Sequence, residues 1–159
     1  MLMSSQSSPP RLETDPTRIS NEQFVNVARG LQVDEAVLRA IAQVESAGSG
    51  FIRAGRPKVL FEGHAFYRLT GGRFGESNIS YRKWTKKYYS SPDGEWVRLE
   101  AACKLDRPAA LQSASWGMVQ IMGFNYSYCG YADVEEFVAA QCDTADRQFG
   151  GFARSISRP

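Results

Sequence analysis

Histidine and cysteine are nearly missing: His64 stands alone, and Cys103, Cys129 and Cys142 are the only thiols among 159 residues. Zinc sites draw on clustered Cys and His at short spacing. Here no two cysteines form a C-x-x-C pair and the histidine lies far upstream of all three, so no metal and no cofactor is expected. The odd thiols read as small apolar residues that stay reduced. Long apolar runs are also absent, and nothing approaches the roughly 20 residues of a membrane span. The N-terminus MLMSSQSSPPRLETDP has no basic segment followed by an apolar one, so no Sec signal is expected. The expectation is synthesis in a reducing cytoplasm without stable membrane insertion. Excess charge is scarce as well: 19 Lys and Arg against 17 Asp and Glu leave a formal +2, too little to select a polyanionic partner.

What is present is an ordinary globular composition, 43% hydrophobic and 23% charged. The length suits one domain with a core that needs no disulfide or metal, and a monomer is expected. Residues 1–17, rich in Ser, Pro and charge, read as a flexible leader, leaving residues 18–159 as the domain. Ser20 with Gln23 forms a capping-box pattern ahead of the stripe Phe24, Val27 and Ala28, with Gly30 as a stop. Asp34 can cap a second helix reaching Glu45. These two helices resemble a helix-turn-helix in spacing, but the second offers Arg39 as its one basic residue, so no nucleic acid is expected as a partner.

Val59-Leu60-Phe61 reads as a strand or buried turn, with a small β-hairpin expected near 55–62 and a helix from about Gly63 to Leu69. Residues 81–89, Tyr-Arg-Lys-Trp-Thr-Lys-Lys-Tyr-Tyr, mix aromatic and basic side chains. That composition can stack on sugar rings or bases, and equally suits an exposed connection with aromatic feet. Pro92-Asp93-Gly94 predicts a surface turn, followed by helices over about Glu95–Cys103 and Arg107–Ala114. Asp133 with Glu136 is a second capping box, opening a long helix whose apolar face runs through Phe149 and Phe152, weakened at Gly150-Gly151. The expected fold class is mainly α: a compact helical domain with a small β-hairpin.

On a helical wheel Val33, Val37, Ala40, Ile41 and Val44 define an apolar arc, and Glu45 falls between Ile41 and Leu38. A carboxyl group at a helix C-terminus on an apolar face meets the negative end of the macrodipole and partial desolvation, and both disfavour its ionisation. A glutamic acid that stays protonated suits glycosidic cleavage, because the leaving oxygen must receive a proton. A boundary glutamate reaching water is the plain alternative.

The stretch Ala42-Gln43-Val44-Glu45-Ser46-Ala47-Gly48-Ser49-Gly50-Phe51 resembles the catalytic glutamate motif of the N-acetylmuramidase domains of phage endolysins. Val59-Leu60-Phe61-Glu62-Gly63-His64-Ala65-Phe66-Tyr67-Arg68 resembles that family's second block. Ser115-Trp116-Gly117-Met118-Val119-Gln120-Ile121-Met122-Gly123-Phe124-Asn125 resembles its third, in the same order. The first and third blocks are also similar to motifs of goose-type lysozymes and soluble lytic transglycosylases. The resemblance covers about Ile19–Pro159 and implies a lysozyme-like helical fold that acts on peptidoglycan glycan strands.

By the same resemblance Glu45 is the acid and Glu62 the second carboxylate, unless Glu62 only forms a salt bridge, for instance to Arg68. Gly117 is expected to let backbone approach the sugar. Ser115, Gln120 and Asn125 are expected to offer polar contacts, with Tyr126 and Tyr128 as ring faces unless they are core. The resemblance further implies helices and a tyrosine-asparagine-glycine segment beyond Pro159, so the groove is expected to be incomplete at the C-terminus. A holin or a secretion apparatus would bring the protein from the cytoplasm to the periplasmic wall. Rival readings are a lytic transglycosylase, a non-catalytic wall binder, and a cysteine hydrolase built on Cys103 or Cys142 with His64.

Overall fold

The structure, a computed structural model, describes residues 15–45 and 49–157, without the side chains of Val44 and Glu45. Residues 1–14 of the expected leader lie outside the described residues. The last three residues of that leader are tied to the fold: the Pro16 carbonyl accepts the Ala145 N–H at 2.7 Å and the Thr17 carbonyl accepts from Ser49 Oγ.

Two lobes are joined through the middle of the chain. The helical lobe holds α1 (Asn21–Leu31), α2 (Glu35–Glu45) and, from the far end of the sequence, α7 (Ala145–Ser157). Ser20 caps α1 as expected, accepting the Gln23 N–H. The return bond of the capping box is absent. Asp146 on α7 takes the Ser20 N–H and Gln23 reaches the Asp146 carbonyl, so the cap doubles as a tie between the first and last helices. Phe24, Val27 and Ala28 of α1, Leu38 and Ala42 of α2, and Phe149 and Ala153 of α7 form this lobe's core.

The expected apolar arc of α2 is corrected. Val33 and Val37 are exposed and Ala40 is exposed too, while Leu38 and Ala42 are buried. The helix docks on α1 along positions 35, 38, 39 and 42, where Arg39 lays its guanidinium 4.3 Å over the Phe24 ring and pairs with Glu35. A single aliphatic residue with an amphipathic arginine beside it can cover an apolar neighbour as well as a run of valines can.

The sheet lobe starts with the hairpin β1 (Phe51–Arg53) and β2 (Arg56–Pro57), slightly earlier than expected. Then β3 (Val59–Phe61) pairs antiparallel with β4 (Ala114–Trp116), which pairs with β5 (Ile121–Met122). Around this sheet lie α3 (Gly63–Leu69), α4 (Pro92–Cys103), α5 (Arg107–Gln112), a 3-10 turn at Gly123–Asn125 and α6 (Val134–Asp143). Because side chains alternate along a strand, Val59, Phe61, Ala114 and Trp116 enter the core while Leu60, Ser115 and Met122 form a row on the opposite face.

Three sequence expectations change here. Pro92-Asp93-Gly94 is the first turn of α4, with Ser91 as its cap, because proline at the first helical position lacks only an N–H that would be orphaned anyway. Ala114, expected to end a helix, instead opens the strand Ala114–Trp116, since the main-chain groups of β3 need a partner and find it about fifty residues away. The long C-terminal helix is two helices: Thr144 is extended and its hydroxyl accepts the Arg147 N–H, starting α7 afresh. Gly150 and Gly151 do not break α7.

Candidate active site

A chain of depressions runs between the lobes. The central one, about 340 Å³, is lined by Ser49, Lys58, Leu60, Ser90, Glu95 and Gln120 among others. It shares Ser49 and Met118 with a cavity of about 780 Å³ on the helical side, bordered by Arg39, Ala42, Gln43 and Gly50. Through Gln120 it meets a third of about 440 Å³, bordered by Asn125, Tyr128 and Phe152. Linked through these shared residues, they form one continuous trough.

Glu62 stands at the end of β3. Its N–H donates to the Ser113 carbonyl at 2.9 Å, extending the strand ladder by one step and placing it on the Leu60 face. It is also the residue that opens α3, but its side chain makes no capping bond. The carboxylate turns instead to Tyr89, whose hydroxyl donates to Oε1 at 2.7 Å, and to His64, whose Nδ1 lies 3.2 Å from Oε2. Arg68, the partner considered from the sequence, is not involved. Neither Oε2 nor Nδ1 has an aligned hydrogen-bond partner, so the His64 contact is one of proximity and charge. Only 13% of the Glu62 side chain is exposed. Burial and the bond to Glu62 push the Tyr89 hydroxyl up to about 12, so it remains a donor across the physiological range.

Behind β3 lies a buried ion pair that sequence reasoning missed. Glu95 Oε2 accepts the Phe61 N–H, its Oε1 accepts the Ser90 N–H, and Arg98 binds both oxygens, the Phe61 carbonyl and the Asn78 carbonyl. One pair thus fixes the end of β3 and the segment leading into α4. The sequence did hold a signal: Glu95, Arg98, Leu99 and Ala102 share one helical face, so two charges enter an apolar stripe, the same irregularity that singled out Glu45.

The third block folds as a tight turn between β4 and β5. Gly117 has φ +73°, and the space a side chain would take is filled by the amides of Gln141 and Gln148. Its glycine is therefore required by backbone conformation and by these buried amides. Ser115 Oγ donates to Gln120 Oε1 at 2.8 Å, and Gln120 Nε2 donates to the Gly117 carbonyl at 2.8 Å. Both side chains brace the turn. Asn125 and Tyr128 border the outer trough, whereas Tyr126 is partly buried against the sheet-lobe core. Trp116 is wholly core.

Glu45 closes α2, two residues after Gln43 on the border of the helical-side cavity, with its side chain outside the described atoms. Among the described residues no cluster of His, Cys, Asp and Glu is arranged to hold a metal ion. His64 faces Glu62, not a thiol, and burial pushes the Cys103 and Cys142 thiols up, away from the thiolate a cysteine nucleophile requires.

Helices wrapped on a small antiparallel sheet, with a trough between two lobes, define a lysozyme-like fold. The profile of the Muramidase family, described as N-acetylmuramidase, matches residues 34–159, and the chain belongs to that family. The crystal structure of the Burkholderia AP3 phage endolysin is similar, with a TM-score of 0.81 and 34% identity over 89% of this chain and 55% of that one. The chain thus spans about half the length of that endolysin. A search among curated proteins finds no match.

Proposed function

We propose that the chain is a peptidoglycan hydrolase that cleaves the β-1,4 bond between N-acetylmuramic acid and N-acetylglucosamine, with Glu45 as general acid. The observation that carries this reading is where α2 ends. Ala42 and Gln43 before Glu45, and Ser49 and Gly50 after it, border the trough, and Glu45 follows the buried Leu38 and Ala42 by seven and three residues along the same stripe. A carboxyl group at that helix end is disposed to keep its proton until the glycosidic oxygen takes it.

Glu62 serves as the second carboxylate. Fixed by the Tyr89 hydroxyl with His64 beside it, on the face of β3 whose Leu60 lines the central depression, it supports an attacking water or the positive charge that develops on the sugar. The protein would act on wall exposed to the periplasm, after release from the cytoplasm.

The test is turbidity loss of outer-membrane-permeabilised Gram-negative cells, with mass spectrometry of the released fragments. Wild type clears the cells and leaves reducing muramic acid ends. Glu45→Gln, folded by circular dichroism, clears them about 10²–10⁴-fold more slowly. Anhydro ends would reassign the chain as a lytic transglycosylase, and a folded wild type that never clears would leave a wall binder.

A further inference from the structure

The segment between α3 and α4 holds a feature that glycan cleavage leaves unused. From Ser77 to Pro92 there is no acidic residue, while Arg82, Lys83, Lys86 and Lys87 fall within six positions. The segment is firmly seated. Tyr81 is buried with its ring over Gly63, where any larger residue would collide, and its hydroxyl accepts the Gly63 N–H. The Tyr88 ring lies 5.1 Å from that of Tyr81, and Tyr89 is bonded to Glu62. Local bonds from the Lys87 N–H to Thr85 Oγ1 and from the Tyr89 N–H to the Lys86 carbonyl set the turn between them.

Tyrosines thus face inward while all four cations are exposed, with Trp84 57% exposed among them. Arg82 has Glu76 at 3.2 Å, an exposed pair of little worth. Among the described residues Lys83, Lys86 and Lys87 have no carboxylate within pairing distance. Lys86 rests 5.9 Å over the Trp84 ring and Lys87 5.2 Å over Tyr88. The cluster also adjoins the trough, since Ser90 lines its central depression and Tyr89 touches Glu62.

Uncompensated cations interleaved with an exposed indole suit an anion carried on an organic body. In intact peptidoglycan the lactyl carboxyl of each muramic acid is bound as an amide, so the carboxylates near the bond being cut are those of the stem peptide. Building on the peptidoglycan reading above, we infer that residues 82–88 form a binding surface for the stem peptide. Lys83, Lys86 and Lys87 meet its carboxylates and Trp84 covers its apolar part, so peptide-bearing strands are preferred over bare ones.

The experiment compares soluble, uncross-linked peptide-bearing strands with the same glycan stripped of peptides by an amidase and amidated at its freed lactyl carboxylates, using wild type, the triple variant Lys83→Gln/Lys86→Gln/Lys87→Gln and, separately, Trp84→Ala. On peptide-bearing strands the triple variant raises KM about tenfold at unchanged kcat, and on stripped strands it matches wild type. The wild-type preference fades at about 1 M salt, where screening acts within about 3 Å. Equal KM for both substrates in wild type, or equal weakening of the triple variant on both, overturns the inference.

Fluorescence anisotropy of the same two strands, labelled, reads the surface without turnover. Peptide-dependent binding lost in the triple variant upholds the surface even if no bond is cut, the result that would sink only the hydrolase reading. Wild-type capture by phosphate-bearing lipid vesicles or duplex DNA, with indifference to the stem peptide, overturns it in favour of a phosphate receptor.

Discussion

Where the sheet lobe buries Phe61, Phe66, Trp116 and Phe137 completely, the helical lobe leaves Val33 and Val37 at 42% and 52% exposure at the start of α2. In the first, strands, four helices and the Glu95–Arg98 pair over-determine each position. In the second, α2 leans mainly on α1, through Leu38, Ala42 and the arginine that covers Phe24. The proposed acid thus closes the more lightly held helix, and Glu62, proposed as the second carboxylate, stands at the end of a strand bonded to β4 and to the Glu95–Arg98 pair. Local opening draws on regions with few buried apolar contacts, so the two sides of the trough differ in stability as well as in shape.

The strongest test of that contrast is a pair of truncations measured by urea denaturation. Phe61→Ala removes a ring that contacts Phe66 and carries the Arg98 guanidinium over its face, and it is expected to cost about 4 kcal/mol. Leu38→Ala, in the helical lobe, is expected to cost about 2 kcal/mol because α2 can settle onto α1 and close part of the void. Equal costs would break the comparison.

A smaller effect reports on the polar network of the sheet wall. Tyr89 has its hydroxyl raised to about 12, by burial first and by the bond to Glu62 second. The folded protein therefore keeps a proton that the unfolded chain releases near pH 10. The stability tied to Tyr89 is fully present below pH 10 and is lost as pH rises through about 12. Ultraviolet titration should show one tyrosine ionising late, and Glu62→Gln should move it earlier while leaving it above the ordinary value, since burial persists. A tyrosine that does not respond to Glu62→Gln would contradict the network.

Local signals were legible in the sequence and distant ones were not. The caps at Ser20, Asp34 and Asp133, and helix Gly63–Leu69, follow from side-chain chemistry within four residues. The strand at Ser115 does not, because it forms only when β3 arrives from far upstream, and neither does the exchange of Asp146 for Gln23 in the first capping box. Thr144 was readable as a helix start, with Asp146 in the turn after it, but the apolar face running through to Phe152 masked the break. At the candidate site, the sequence singled out Glu62 but not Tyr89, the residue bonded to it. Tyr89 lies in the segment that sequence composition marked for its aromatics and bases, without indicating which rings turn inward.

The smallest expected effect is the most exacting for the comparison, because it concerns a residue that the helical wheel placed at the heart of the apolar arc of α2. If that arc were the packing face, Val37→Lys would bury an ammonium group and unfold the lobe. In this structure Val37 is more than half exposed and the docking stripe runs through Leu38 and Ala42. The lysine then simply extends into water, and helix propensity slightly favours it over a β-branched valine. The change should stay within about 0.5 kcal/mol of wild type and leave turbidity clearing untouched. A loss of several kcal/mol would mean that the valine face is covered in solution, and that α2 is held on two sides where the structure holds it on one.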